Sequence, residues 1–223
     1  MKYKVVEKFI SINGEGNNAG QLAVFIRFAG CNLRCSYCDT LWAVDVKKVE
    51  YQELSGQEIC NYIIDSRIRN VTLTGGEPLF QEGIYELLCL LAELPELRVE
   101  IETNGSIDLC EYKDIKPDYP VFTTDYKLGT SGMEHTMKLS NFEHLEQNDT
   151  VKFVVGNDKD LETAQQIIDK YRLTEKCSVH FSAVSGNIEL NAIVEFMKQN
   201  KLNGVRLQPQ LHKFIWDSST RGV

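Results

Sequence analysis

The stretch Ala23-Val24-Phe25-Ile26-Arg27-Phe28-Ala29-Gly30-Cys31-Asn32-Leu33-Arg34-Cys35-Ser36-Tyr37-Cys38-Asp39 runs from a β-branched and aromatic segment into a loop with three cysteines. The apolar run reads as a strand. The loop that leaves it has the spacing Cys-x-x-x-Cys-x-x-Cys, with an aromatic ring just before the last thiol. Three thiolates this close can converge on one metal centre, and their softness selects an iron–sulfur cluster, zinc or copper(I). A structural zinc site needs a fourth ligand. No Cys or His lies nearby to supply one, since the histidines begin at His135. Zinc with a distant fourth ligand stays open, as does chance clustering. A four-iron cluster held by three cysteines keeps one iron free to bind a substrate.

Outward from this loop, strand-like runs alternate with segments of helical period. Asn70–Thr74, Arg98–Glu102, Val121–Thr124, Thr150–Val155, Val179–Ala183 and Val205–Gln208 read as strands, giving about seven with the first. Leu87, Leu88, Leu91 and Leu94 form one apolar stripe. Leu161, Ala164, Ile167, Ile168 and Tyr171 form a second, and Leu190, Ile193, Val194 and Met197 a third. Residues 55–65 give a weaker helical pattern. Strand–helix alternation implies crossover units and a largely parallel sheet. The expectation is an α/β fold, a partial (incomplete) TIM-like barrel or curved open sheet, as a single domain over residues 1–223. In such a fold the site is built at the C-terminal strand ends.

Composition narrows the function. With 24 basic and 32 acidic residues the chain carries a net charge of −8, a poor balance for nonspecific nucleic-acid binding. No apolar run approaches the roughly 20 residues of a membrane span, and Met1–Glu7 has no signal-peptide core. The expected compartment is the cytoplasm, with no nucleic-acid or membrane partner. Seven cysteines in such a setting argue against a disulfide framework. Cys89, within Leu87-Leu-Cys-Leu-Leu, reads as core, Cys60 as a helix residue, and Cys110 and Cys177 carry no assignment.

Two strand ends add to the cysteine loop. Thr74-Gly75-Gly76-Glu77-Pro78 gives glycines that let backbone approach a ligand and a carboxylate that can accept from an ammonium. Alone it is equally a tight strand-to-helix turn. Glu102-Thr-Asn104-Gly105 can bind ribose hydroxyls or be an Asn-Gly turn.

Together these segments resemble the radical SAM enzymes. The resemblance implies a [4Fe–4S] cluster on Cys31, Cys35 and Cys38, S-adenosylmethionine on its open iron, and a partial (β/α) barrel. It also implies contacts to S-adenosylmethionine from Gly75, Gly76, Glu77, Glu102, Asn104, Lys127 and Lys152. Within that superfamily, Phe9-Ile-Ser-Ile-Asn13-Gly14-Glu15-Gly16, Arg27, Cys38-Asp39-Thr40 and Gln208-Pro-Gln210-Leu-His212-Lys213 resemble the 7-carboxy-7-deazaguanine synthases. The match is nearest their clostridial branch and spans nearly the whole chain.

That closer resemblance implies Thr40 as a Mg2+ ligand beside the last cysteine; otherwise it is a loop hydroxyl. It implies a substrate pocket of Asn13, Gly14, Glu15, Arg27, Thr74, Gln210 and His212. Asn13, Gly14 and Glu15 would grip the pterin edge, and Arg27 would meet the substrate carboxylate unless it is a solvated strand-face arginine. His212 reads equally as a packed strand-end histidine. The implied reaction converts 6-carboxy-5,6,7,8-tetrahydropterin to 7-carboxy-7-deazaguanine by radical ring contraction with loss of ammonia. An electron donor such as flavodoxin or ferredoxin and a homodimer go with it.

Three departures from the family pattern stand out, two of them on the substrate side. Asn13 stands where the family often has Gln, Asp125-Tyr126-Lys127 where Ser-Pro-Lys is expected, and the tail Trp216–Val223 is longer, with Ser218 in place of Pro. Asn13 and the Ser218 tail keep open a radical SAM lyase that salvages a 7-substituted 7-deazaguanine such as queuine. A glycyl-radical activase would need a peptide groove or further ligand-rich regions, of which the sequence gives no sign. A non-enzymatic iron–sulfur or zinc binding module is a third alternative, which the Gly75-Gly76-Glu77-Pro78 strand end argues against. Phe214, Ile215 and Trp216 suit a dimer contact or a lid.

Overall fold

The computed structural model describes residues 1–217 and 220–223; Ser218 lies outside the described residues. Among these, nine strands form one sheet: β1 (Lys2–Ile12), β2 (Leu22–Phe28), β3 (Gln52–Ser55), β4 (Asn70–Gly75), β5 (Arg98–Thr103), β6 (Val121–Tyr126), β7 (Thr150–Val155), β8 (Ser178–Ala183) and β9 (Val205–Leu207). The order is β3-β1-β2-β4-β5-β6-β7-β8-β9, and β9 does not pair back onto β3, so the sheet stays open. From β2 through β4 to β9 neighbouring strands are parallel.

The expected seven strands are all present, and two more extend the sheet. β1 pairs antiparallel with both β2 and β3. Lys2-Tyr3-Lys4-Val5 alternates as a strand should, with Tyr3 and Val5 buried, but four residues are too short a run to mark the eleven-residue β1. A register shift between Val5 and Glu7 then breaks the alternation. β9 is one residue shorter than expected. Gln208 leaves the ladder just before Pro209, which restricts the preceding residue and has no N–H to offer.

Helices α1 (Leu41–Val44), α2 (Gly56–Ser66), α3 (Ile84–Ala92), α4 (Cys110–Lys113), α5 (Asp158–Tyr171), α6 (Leu173–Lys176), α7 (Leu190–Gln199) and α8 (His212–Ile215) connect the strands. The weakly patterned 55–65 segment is α2, started by a capping box. Ser55 Oγ accepts from Glu58 N–H at 3.2 Å and Glu58 Oε2 accepts from Ser55 N–H at 2.8 Å. α5 starts on Asn157, whose Oδ1 accepts from Asp160 N–H at 3.0 Å. The stripe assigned to Leu87–Leu94 is shorter than expected: α3 ends at Ala92, and Leu94 packs on the core from the following turn. Cys89 is only half-buried, off the buried Leu87–Leu88–Leu91 line. Cys60 is a buried residue of α2, Cys177 is buried and Cys110 is exposed.

Strand alternation then sorts the side chains. Val71, Leu73, Val99, Ile101, Phe122, Val151, Phe153, Val179 and Phe181 are buried in the core. Thr72, Thr74, Glu100, Glu102, Thr123, Asp125, Lys152, His180 and Ser182 take the alternate positions and share the opposite, inner face. A sheet face this polar and this buried is built to hold a ligand, since buried polar groups are costly unless satisfied.

Candidate active site

The Cys31–Cys38 loop leaves the C-terminal end of β2 and is pinned on both sides. Gly30 N–H donates to Ala43 O at 2.8 Å and Cys31 N–H to Val44 O at 3.2 Å, tying the loop to α1. From the other side Ser36 donates through its N–H to Ser131 O at 3.0 Å and through its hydroxyl to Thr130 O at 2.7 Å. The β4 end lies directly against it. Gly76 N–H donates to Phe28 O at 3.0 Å and Glu77 N–H to Gly30 O at 2.9 Å. A Cβ on Gly76 would sit 2.0 Å from Gly30 O, so this crossing requires glycine.

The donor set fits an iron–sulfur cluster. Cys31 Sγ accepts from Leu33 N–H at 3.3 Å and from Asn104 Nδ2 at 3.6 Å, the kind of N–H bonds to sulfur that tune cluster potentials. Burial pushes the Cys31 and Cys35 thiols up, and mutual repulsion adds to it; Lys127 opposes the shift at Cys35. Ligation reverses that balance by deprotonating the thiols. Among the described residues no three His, Cys, Asp or Glu side chains are gathered as an ion site. A cluster, which takes each thiolate on a different iron, does not need that convergence. Thr40 is half-buried, its Oγ1 3.6 Å from Cys38 Sγ.

Glu77 differs from expectation. Its carboxylate is fully buried and turned inward: Oε1 accepts from Leu79 N–H at 3.0 Å and Thr103 Oγ1 at 2.8 Å, Oε2 from Asn104 N–H at 2.7 Å. Burial pushes its pKa up to about 7. The side chain thus ties the β4 and β5 ends together, and what this turn presents to a ligand is backbone. Asn104, held in this way, donates to Asn32 Oδ1 at 3.0 Å as well as to Cys31.

On the inner face the expected substrate residues come together. Lys152 Nζ donates to Glu15 Oε1 at 2.7 Å and lies 3.2 Å from Asp125 Oδ1, and Gln210 Nε2 donates to Glu15 Oε2 at 3.2 Å. Lys127 Nζ binds the other Asp125 oxygen at 2.5 Å and lies 5.8 Å from the Tyr37 ring centre, joining this cluster to the cysteine loop. Burial works against both lysine charges, yet Asp125 holds the Lys127 and Lys152 ammoniums above the usual lysine range, with Glu15 and Glu102 adding at Lys152. Asp125, replacing an expected serine, is thus the counter-ion of both lysines. Lys152 thus joins Glu15 to Asp125, which it shares with Lys127.

Glu102 belongs to the same face. Its Oε2 accepts from Thr74 Oγ1 at 2.7 Å, and burial, reinforced by Glu15, pushes its pKa up to about 7. Asn13 is buried, its Oδ1 accepting from Thr72 Oγ1 at 2.7 Å while Nδ2 has no partner. Gly14 packs on His212, where a Cβ would meet Nδ1 at 2.2 Å. His212 is half-buried, and burial lowers its pKa. Arg27 stands opposite Thr74 in the β2–β4 register; its Nε donates to Glu7 Oε2 at 3.1 Å, so it is neither solvated nor unpaired. Beside it Phe9 and Phe25 stack with ring centres 4.9 Å apart.

Sequence reasoning missed Asp125 as an ionic centre, the Phe9–Phe25 wall, and Glu100, His180 and Gln208. For Glu100, Asp125 and His180 the signal was alternation: once β4–β8 are aligned, the polar residues at every second position mark the inner face. Phe214 and Ile215 are exposed, as a contact surface would be. None of the helices among the described residues is long and apolar enough to cross a membrane.

Comparison with known proteins shows the family and the fold. Residues 25–124, from β2 to β6, match the family model described as the radical SAM superfamily. The chain is 56% identical over 223 residues to 7-carboxy-7-deazaguanine synthase of Clostridium acetobutylicum, covering 100% of both chains. It is 34% identical to the protein of the same name from Leptospira interrogans, covering 100% of this chain and 99% of that one. The crystal structure of QueE from Escherichia coli superposes with a TM-score of 0.71 at 21% identity, covering 94% of each chain, a likeness of fold.

Proposed function

The chain belongs to the 7-carboxy-7-deazaguanine synthase family of radical SAM enzymes, and we propose from its pocket that it contracts 6-carboxy-5,6,7,8-tetrahydropterin to 7-carboxy-7-deazaguanine with loss of ammonia. The observation that carries this reading is Glu15, fixed by Lys152 and Gln210 beside a buried Asn13. A carboxylate so held accepts paired hydrogen bonds from the N–H and amino group of a guanine-like edge.

When bound, the [4Fe–4S] cluster on Cys31, Cys35 and Cys38 and S-adenosylmethionine supply a carbon-centred radical. The residues of the chain do the positioning. Asn13 and Glu15 hold the pterin edge, the Phe9–Phe25 wall suits a flat ring, and Arg27 meets the carboxylate. Thr40 offers Mg2+ one oxygen; that ion takes few protein ligands and fills its shell with substrate and water. Gly75, Gly76 and Asn104 face S-adenosylmethionine through backbone and amide, with Lys127 behind the cysteine loop. Glu102, Asp125 and Lys152 line the same inner face beside the reacting ring.

An external reductant such as flavodoxin or ferredoxin delivers the electron. The enzyme works in the cytoplasm as a homodimer, for which exposed Phe214 and Ile215 offer contact surface.

The test is anaerobic turnover of the reconstituted protein with S-adenosylmethionine, dithionite and Mg2+, given carboxytetrahydropterin or queuine and followed by mass spectrometry. 7-Carboxy-7-deazaguanine from the pterin establishes the proposal. Product from queuine alone moves the protein to salvage.

A further inference from the structure

Beyond β9 the chain turns toward the N-terminal loop at Gln208. Its N–H donates to Phe181 O at 2.8 Å and its carbonyl accepts from Ser182 Oγ at 2.8 Å. Its side-chain amide meets the backbone of Gly16 twice: Gly16 N–H donates to Oε1 at 2.7 Å and Nε2 donates to Gly16 O at 2.9 Å. This double bond pattern fixes which end of the amide is oxygen. His180 Nδ1 lies 2.9 Å from the same Oε1. The imidazole must therefore donate there, which assigns the Nδ1–H tautomer.

The amide thus joins the N-terminal loop, β8 and the C-terminal segment, and it does so next to Glu15. Gly16 has φ +80°, and a Cβ on it would lie 2.7 Å from Glu100 Oε1, so the loop is closely fitted at this point. Leu211 N–H adds a bond to Gly14 O at 2.9 Å. Loop 13–16 is held from the tail side by these bonds and by Gln210.

We propose that Gln208 is a positioning residue: its amide splints the Asn13–Gly16 loop so that Glu15 already faces the substrate before substrate arrives, with His180 locking the amide. The inference rests on the reading of Glu15 as a substrate contact. Preorganising a loop lowers the ordering cost of binding, so loss of the splint raises KM more than it lowers kcat.

The experiment compares wild type with Gln208→Leu, which keeps bulk and loses all three side-chain bonds. Gln208→Glu keeps acceptors for Gly16 N–H and His180 but replaces the donor to Gly16 O with an oxygen that repels it. It is the second variant if the first folds poorly. KM for carboxytetrahydropterin is measured together with backbone hydrogen exchange across the chain. The expected result is a KM raised roughly tenfold or more in Gln208→Leu and raised also in Gln208→Glu, with faster exchange confined to residues 13–21. Unchanged KM in both variants, or exchange accelerated throughout the sheet with kcat and KM failing together, overturns it. If wild type cleaves S-adenosylmethionine but leaves the pterin untouched, the substrate reading has failed. Exchange alone then decides the splint: acceleration confined to 13–21 supports it, and unchanged exchange there refutes it.

Discussion

Lys152 on β7 holds Glu15 of the N-terminal loop at 2.7 Å across 137 positions of sequence, and Asp125 on the neighbouring strand shares the same ammonium. The side chains of Lys152 and Glu15 are about nine-tenths buried. Charges removed from water in this way depend on one another, because an unpaired buried ion is far costlier than a matched pair.

Lys152→Met is therefore expected to lower unfolding stability by about 3 kcal/mol, leaving Glu15 without its cation and Asp125 with Lys127 alone. Lys152→Met/Glu15→Gln should recover part of that loss while turnover stays abolished. Urea denaturation of both variants, alongside a product assay, separates the two effects.

Replacing Cys31, Cys35 or Cys38 by Ala should remove the visible absorbance of the reconstituted cluster and most of the bound iron. Cys110→Ser, at an exposed position on α4, should leave both unchanged. Iron per chain and the absorbance spectrum check this.

Gly76→Ala tests the crossing of the β4 end over the cysteine loop. Its Cβ would meet Gly30 O at 2.0 Å and Cys31 N at 3.0 Å, so backbone must shift where the first thiol is set. Reduced iron loading and lower thermal stability are expected. Gly132→Ala has room for its Cβ, although its positive φ adds local strain, and should load iron normally.

Glu102 faces Thr74, Glu15, Lys152 and Glu100, and its pKa rises from 4.5 to about 7 on folding. The folded state then binds the proton more tightly than the unfolded state. This contribution to stability is complete below pH 4.5 and fades as pH rises through about 7. Glu102→Gln should flatten the fall in stability across that window. Denaturation midpoints between pH 5 and 8 measure it, and a variant as steep as wild type would show that Glu102 titrates normally.

The cysteine spacing, the seven parallel strands and the Gly75-Gly76-Glu77-Pro78 turn were all legible in the sequence, because thiol spacing, β-branched alternation and glycine pairs are local signals. Residues of the N-terminal loop and the tail were recognised by resemblance, and the fold brings Asn13, Gly14, Glu15, Gln210 and His212 into one place. Pairings between distant positions were not legible. Nothing local in Glu77 says that its carboxylate is spent on Leu79, Thr103 and Asn104, or in Gln208 that its amide closes on Gly16. β1 was hidden by the register shift between Val5 and Glu7, which breaks its alternation, and its place between β2 and β3 depends on pairing. Local chemistry set what this chain can bind and which elements it forms. Which buried charges meet, and which polar groups are left to face a ligand, was settled when the strands aligned, because a buried polar group takes its partner from whatever the fold brings within reach.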